Sequence, residues 1–373
     1  MTNKNKIKIS YIVPSLDKGG AERFLVDLLL NLDRQIFEIQ LILFKRGGDF
    51  LEELRALNIS IIILEKKYKF DIKNFYQILK AVRHFKPQIV HTQLGGDLYG
   101  RLIAKLLAVP LIISTEQNVN PDETWIQNKL KKITSRWADK IIAITQAVAT
   151  DLKNRYQVNP QKIVVIPNGL NIDRFSSQAS LNHQAIREST VLCGTIGRLV
   201  PQKGQSVLIK AFKSLNQASV RCLIAGQGPL QASLQAEIEA AGLNNQVKLI
   251  GTVDSVSFLK TLDIFILPSL WEGQGIVLLE AALSGKPIIA SRVDGICEVI
   301  DEQTGFLVPA GNSQALADAI SYLAEHLDDQ KTLQKIEELK LRIKARYDIK
   351  KIRDTYSSLY QELLEQYYLS SKK

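Results

Sequence analysis

Ile264-Phe265-Ile266-Leu267-Pro268-Ser269, and after Leu270 the run Trp271-Glu272-Gly273-Gln274-Gly275-Ile276-Val277-Leu278-Leu279-Glu280, is the stretch whose reading decides the fold. The apolar start reads as a buried strand ending in a turn. Ile276 to Leu283 reads as a helix, stopped by Ser284-Gly285-Lys286-Pro287. The N–H groups of Gly275, Ile276, Val277 and Leu278 then face whatever lies beyond the strand's carboxyl end, where the helix dipole favours phosphate. Glu280 lies about one turn into the helix and Glu272 in the loop before it, so two carboxylates flank one ligand. This is a design for a charged, hydroxylated molecule.

Outward from this segment, strands and helices alternate along the whole chain, which predicts an α/β protein with parallel sheets. Strands are expected at Lys8 to Val13, Ile39 to Phe44, Ser60 to Leu64, Ile89 to His91, Leu111 to Thr115, Lys140 to Ile144 and Lys162 to Ile166. The rhythm restarts at Val191 to Ile196, Val220 to Ala225, Val247 to Ile250, Ile264 to Leu267, Pro287 to Ser291 and Gly305 to Val308. Ser176 to Thr190 is polar and reads as the linker. At 373 residues the chain fits two domains, 1–185 and 186–350, with 351–373 an amphipathic helix expected to return to the first domain. Each half pairs a strand with a glycine-containing loop and a helix start: Lys18-Gly19-Gly20 before a helix from Ala21, and Lys203-Gly204 before a helix from about Ser206. Two such doubly wound domains, facing each other, would share a cleft at their strands' carboxyl ends.

The net charge of +10 belongs to one half: residues 1–185 hold 27 Lys and Arg against 17 Asp and Glu, and the remainder holds 21 of each. Lys66-Lys67-Tyr68-Lys69-Phe70 through Lys73, Lys80, Arg83 and Lys86, on a helix expected from Ile72 to Phe85, mixes aromatics with cations. Lys129, Lys131, Lys132 and Arg136 beside Trp125 and Trp137 form a second cluster. Such surfaces either suit an anionic membrane, where each cation near the lipid is worth about 1 kcal/mol, or are solvated helix faces with the aromatics in the core. Nucleic acid is not expected, since no nucleic-acid motif accompanies the charge. No stretch reads as a membrane span or a signal peptide, which predicts a cytoplasmic protein, peripheral at the inner membrane face if the basic surface is used. Cys193, Cys222 and Cys297 form neither a disulfide framework nor a zinc pattern and read as small buried hydrophobes.

Gly197-Arg198-Leu199-Val200-Pro201-Gln202-Lys203-Gly204 directly follows a strand and sets two cations in a glycine-bounded loop, natural partners for a diphosphate. The next strand ends in Ala225-Gly226-Gln227-Gly228, where a ligand or helix approaches the backbone closely. Lys248-Leu249-Ile250-Gly251-Thr252-Val253 offers backbone groups to a planar base, with Gly226, Gly251, Thr252 and Val253 nearest to it.

On these motifs the chain resembles, over nearly its whole length, the retaining glycosyltransferases of family 4, which implies the GT-B fold: two Rossmann-like doubly wound domains around a central cleft. The resemblance makes Glu272 and Glu280 the acids of an E-x7-E motif. Glu280 would bind the nucleotide ribose and Glu272 would act near the donor sugar. Arg198 and Lys203 would hold the donor diphosphate, with Gly275, Ile276, Val277 and Leu278 along it. Gly19-Gly20-Ala21-Glu22 matches the first-domain loop, placing Gly19 and Gly20 toward the donor phosphates and Glu22 toward the acceptor. His91 would stand near the reacting sugar as a catalytic residue. The family pattern is broken at Gln93 and Gln117, where histidine is common, at Gln274, where an aromatic is usual, and at Val293-Asp294-Gly295. Gln93 and Gln274 fall on the acceptor side.

The resemblance implies transfer of a hexose-type sugar from a nucleotide-diphosphate sugar, a UDP-sugar foremost, to a glycan, lipid-linked or glycolipid acceptor. No cofactor or metal is implied, and no D-x-D triplet occurs in the chain. The same fold also serves nucleotide-sugar epimerases, glycogen-type synthases and non-catalytic nucleotide-sugar-binding proteins.

Overall fold

The computed structural model describes residues 6–57, 59–66, 71–119, 121–176, 190–215 and 217–371. The chain forms two compact units, Met1–Gly169 joined by Ile349–Lys373, and Leu170–Asp348. The expected boundary at 185/186 and most of the expected linker lie outside the described residues. The chain has already changed unit at Leu170, whose N–H donates to the Tyr347 carbonyl at 2.9 Å and whose side chain is buried in the second unit's core.

The first unit is built on seven parallel strands: β1 (Ile7–Val13), β2 (Phe37–Leu43), β3 (Ser60–Ile63), β4 (Ile89–Gln93), β5 (Leu111–Glu116), β6 (Lys140–Ala143) and β7 (Ile163–Val165), in the order β3-β2-β1-β4-β5-β6-β7. The second has β8 (Val191–Ile196), β9 (Val220–Ala225), β10 (Val247–Gly251), β11 (Ile264–Leu267), β12 (Ile288–Arg292) and β13 (Phe306–Pro309), in the order β10-β9-β8-β11-β12-β13. Each is a Rossmann-like sheet with helical crossovers. All thirteen expected strands are present, with ends moved by two residues or fewer. They were legible because helices cover both faces of a parallel sheet, leaving continuous apolar runs such as Ile264–Leu267, buried throughout. Cys193 and Cys222 pack inside the second sheet as expected, whereas Cys297 is exposed on a short helix.

Strand order reverses once in each sheet, between β1 and β4 and between β8 and β11. Crossovers leave such a pair toward opposite faces, so the carboxyl ends of the two strands stay uncovered. The Gly19-Gly20 loop follows β1 and Gln93 ends β4. In the second unit the Arg198–Lys203 loop follows β8 and the Glu272 loop follows β11.

The terminal helix, Ile349–Ser370, belongs to the first unit and packs on the helix Gly20–Asn31. Its buried face carries Ile352, Tyr356, Tyr360 and Leu363, at the three- and four-residue spacing of one helical stripe. Tyr360 fixes it to the sheet by hydroxyl contacts with the Tyr11 hydroxyl at 2.8 Å and with His91 Nδ1 at 2.6 Å. The other His91 nitrogen, Nε2, meets Thr115 Oγ1 at 2.8 Å, and the ring stacks on Tyr11 at 5.1 Å. His91, expected near a reacting sugar, is therefore 1% exposed and engaged on both nitrogens by the core. The resemblance placed His91 at the end of its strand, but β4 runs on to Gln93 and the terminal helix covers His91 through Tyr360.

Burial pushes the His91 imidazole down to about 3, the Asp97 charge offsetting only part of the effect. The unfolded chain, with a histidine pKa near 6.5, takes up this proton first as the pH falls. The stability His91 contributes is thus present above about pH 6.5 and is lost toward pH 3, at up to about 1.4 kcal/mol per pH unit. In urea melts from pH 7 to pH 4, His91→Gln should lose stability less steeply than wild type; equal slopes would contradict a neutral buried imidazole. Tyr360→Phe, which strips the hydroxyl from Tyr11 and His91, should cost about 1–3 kcal/mol at neutral pH.

Candidate functional site

The second unit's site is assembled from loops at the β8–β11 reversal. Beyond β8, the Gly197 N–H donates to the Ala225 carbonyl at 3.0 Å and the Leu199 N–H to Gln227 at 2.9 Å, so the loops after β8 and β9 run together. The Gly226 N–H donates to the Gly251 carbonyl at 2.7 Å, which adds the end of β10. This needs glycine at 226: its φ is +138°, and a Cβ there would lie 1.9 Å from the Gly197 carbonyl oxygen.

Pro201–Lys203 forms one turn of 3-10 helix. Gln202, buried within it, donates to the Trp271 carbonyl at 3.0 Å, and its own carbonyl accepts from the Leu270 N–H at 2.8 Å. These bonds stitch the loop after β8 to the loop after β11. Lys203 Nζ thereby reaches Glu272 Oε2 at 2.5 Å, and Ser269 Oγ donates to the same oxygen at 3.1 Å. The ammonium and carboxylate side chains are only 17% and 9% exposed. Arg198, one turn earlier, is exposed at the loop surface. The pair expected to address different parts of a ligand is in direct contact.

Gly275 caps the helix Ile276–Leu283 in the left-handed region, φ +72°. The Leu278 N–H donates to the Gly275 carbonyl at 2.8 Å, so it is not among the groups left for a ligand. Ile276 and Val277 occupy first-turn positions, where the helix offers no acceptor. Glu280 and Gln274 are buried, at 8% and 1% exposure. Of the expected base-proximal residues, Gly226 and Gly251 meet through the backbone and Thr252 is exposed. Val253 is half-buried against the core.

In the first unit, Gly19 precedes the helix Gly20–Asn31 and the Glu22 carboxylate folds back over it: a Cβ on Gly19 would meet Glu22 Oε2 at 2.2 Å. At the ends of β4 and β5, amides gather. Gln117 Nε2 lies 3.4 Å from Gln93 Oε1 and 3.3 Å from Asn168 Oδ1, and Asn168 Nδ2 donates to Gln117 Oε1 at 2.7 Å. Asn168 was missed in the sequence, although Pro167-Asn168-Gly169 is a turn signal just past a strand. Ser269 and Gln202 were missed too, each inside a loop already singled out. Among the described residues, no group of three or more His, Cys, Asp or Glu side chains stands ready to hold a metal ion.

Two family models match this chain: Glycosyltransferase Family 4 over residues 18–174 and Glycosyl transferases group 1 over residues 177–339. The chain belongs to the group 1 glycosyltransferases of family 4. This glycosyltransferase is 27% identical over 340 residues to the UDP-Gal:alpha-D-GlcNAc-diphosphoundecaprenol alpha-1,3-galactosyltransferase of Escherichia coli, covering 85% of this chain and 87% of that one. It is 26% identical over 373 residues to a Campylobacter jejuni alpha-1,4-N-acetyl-D-galactosaminyltransferase whose named acceptor is a PP-undecaprenol-linked glycan, covering 96% and 99%. Its fold matches the crystal structure of Anabaena HepE in complex with UDP and glucose, with a TM-score of 0.83 and 22% identity over 95% of this chain and all of that one.

The loop junction gives a contrast in stability. Gly226→Ala combines a positive φ with a clash against backbone and should destabilise by more than about 3 kcal/mol. Gly251→Ala has φ +71° and nothing within 4 Å of the new Cβ, so it should cost only about 1–2 kcal/mol. Urea melts of the two variants test this; equal losses would mean that the loops after β8 and β9 do not meet as described.

Proposed function

We propose that this glycosyltransferase moves a hexosyl group from a UDP-sugar to a lipid-linked or glycan acceptor, with retention of anomeric configuration and with protein cations in place of a metal. The observation that carries the donor side of this reading is the Lys203–Glu272 contact at the strand reversal, beside exposed Arg198 and the start of the helix Ile276–Leu283. As the glycosidic bond breaks, negative charge grows on the diphosphate. Fixed positive groups there lower the barrier, each donor being worth roughly 100- to 1,000-fold in rate. Arg198 supplies a planar fork, Lys203 a mobile charge, and the first-turn N–H groups of Ile276 and Val277 the helix dipole.

When the diphosphate arrives, Lys203 turns from Glu272 to the phosphates, and Glu272 is freed toward the sugar hydroxyls. Glu280 holds the ribose. The acceptor oxygen bonds to the anomeric carbon on the face the diphosphate leaves, and its proton passes to a departing phosphate oxygen. A double displacement would need a carboxylate nucleophile on the opposite face, and no residue is assigned to that role. On the acceptor side, Gln93 and Gln117 with Asn168 offer neutral amides suited to hydroxyl groups, with Gly19, Gly20 and Glu22 on the neighbouring loop. The E. coli and C. jejuni relatives, named for undecaprenol-linked acceptors, support a lipid-linked acceptor. HepE with UDP bound supports the uridine donor.

Arg198→Ala and Glu280→Ala should each lower kcat/KM for the UDP-sugar by about 100-fold or more, and Arg198→Ala, at an exposed position, should leave the melting curve in place. Wild-type turnover in both would remove the donor-site assignment. Glu272→Gln separates the two roles of the ion pair: turnover falls, yet UDP binds several-fold more tightly because Lys203 no longer has to leave a carboxylate. Calorimetry showing weaker UDP binding by this variant would contradict the exchange.

A further inference from the structure

The two basic clusters of the first unit, separate in sequence, lie on one layer. The helices Ile72–Phe85, Asp97–Leu106 and Trp125–Ser135 connect β3 to β4, β4 to β5 and β5 to β6. All three crossovers move in the same direction along the sheet, so right-handed connection puts them on the same face. The middle helix packs beside each of the others.

These three helices contain eight Lys and Arg and one carboxylate, Asp97. Two of the cations turn inward. Arg101 pairs with Asp97 at 3.5 Å and is 1% exposed, and Lys131, expected at the surface, pairs with Glu116 at 2.6 Å under the ring of Tyr156. Lys66 is likewise drawn onto the Tyr99 ring at 4.5 Å, and Lys67 and Lys69 lie outside the described residues. Lys73, Lys80, Arg83, Lys105 and Lys129 remain exposed, with no acidic partner on their own helices.

Among those cations stand large apolar side chains facing solvent: Ile72 at 84% exposure, Trp125 at 72%, and Tyr76, Leu106 and Ile126 above 60%. Lys129 lies over the Trp125 ring at 4.9 Å, joining a cation to an aromatic tip as interfacial side chains do. Among the described residues, no helix is long and apolar enough to cross a membrane.

We propose that this three-helix face docks on the surface of an anionic phospholipid leaflet, its cations at the headgroups and Ile72, Tyr76, Leu106, Trp125 and Ile126 entering the interface. Cations interleaved with apolar tips suit that occupant: the charge attracts the leaflet over a Debye length and the tips bury once there. The proposal rests on the lipid-linked acceptor reading, because it brings the enzyme to where such an acceptor lies.

The test is sedimentation of the full chain with phosphatidylcholine vesicles with and without phosphatidylglycerol, in the absence of donor and acceptor. Wild type should bind the anionic vesicles and be released by high salt. Lys73→Glu/Lys80→Glu/Arg83→Glu should lower partitioning about 100-fold or more, at roughly fivefold for each charge removed. Trp125→Glu/Ile126→Glu should lower it about tenfold or more. The control Lys331→Glu/Lys344→Glu, exposed on the second unit, should leave it unchanged, and melting curves check that all variants fold. Wild type failing to bind anionic vesicles, face variants binding as wild type, or the control losing as much would each overturn the proposal. Retention by duplex DNA without vesicle binding would overturn it in favour of nucleic acid. Turnover of a water-soluble acceptor in preference to a lipid-linked one, with vesicle binding intact, counts against the acceptor reading alone.

Discussion

The reversal of strand order between β8 and β11 is the constraint on which the proposed donor side depends. Two neighbouring parallel strands whose crossovers leave toward opposite faces have carboxyl ends that no helix covers. The chain fills that opening with two loops, and Gln202 binds them into one piece through the Leu270 N–H and the Trp271 carbonyl. Lys203 and Glu272, 69 residues apart in sequence, share a hydrogen bond because of that stitching. The contact leaves neither of these two poorly exposed charges unpaired, and in the proposed reading both then serve a ligand that brings its own charge.

The first unit uses the same topology differently. Its reversal, between β1 and β4, sets the Gly19-Gly20 loop and Gln93 at the carboxyl ends of neighbouring strands. One step inside, the terminal helix seals the sheet through Tyr356 and Tyr360, turning His91 into a structural ligand of a tyrosine hydroxyl. At the ends of β4 and β5 stand the amides of Gln93 and Gln117 with Asn168, which donate and accept hydrogen bonds and carry no charge. Gln93 and Gln117, where the family resemblance led to an expectation of histidine, thus carry no titrating group.

The strands and the second-unit loops were legible because their signals are local: continuous apolar runs, glycines after strands, and a helix start at Gly275. The fate of individual side chains was not. The burial of His91 was not legible because Tyr360, which contacts its ring, lies 269 positions away. Lys131 read as part of a surface cluster because its partner Glu116 belongs to β5 and meets it only through packing. The Leu278 N–H was counted as available until the Gly275 carbonyl turned toward it. Sequence spacing predicts which groups share an element; which groups find each other across elements follows from tertiary contacts.

The central claim is that the loops at the β8–β11 reversal hold a uridine diphosphate through Lys203. Thermal unfolding of the full chain with UDP, GDP or ADP, repeated with Lys203→Met, tests it most directly. UDP at 100 times its dissociation constant should stabilise wild type by roughly 2.7 kcal/mol, GDP and ADP should do less at equal concentration, and Lys203→Met should lose most of the gain. Stabilisation by none of the three nucleotides, or undiminished stabilisation of Lys203→Met by UDP, would contradict it.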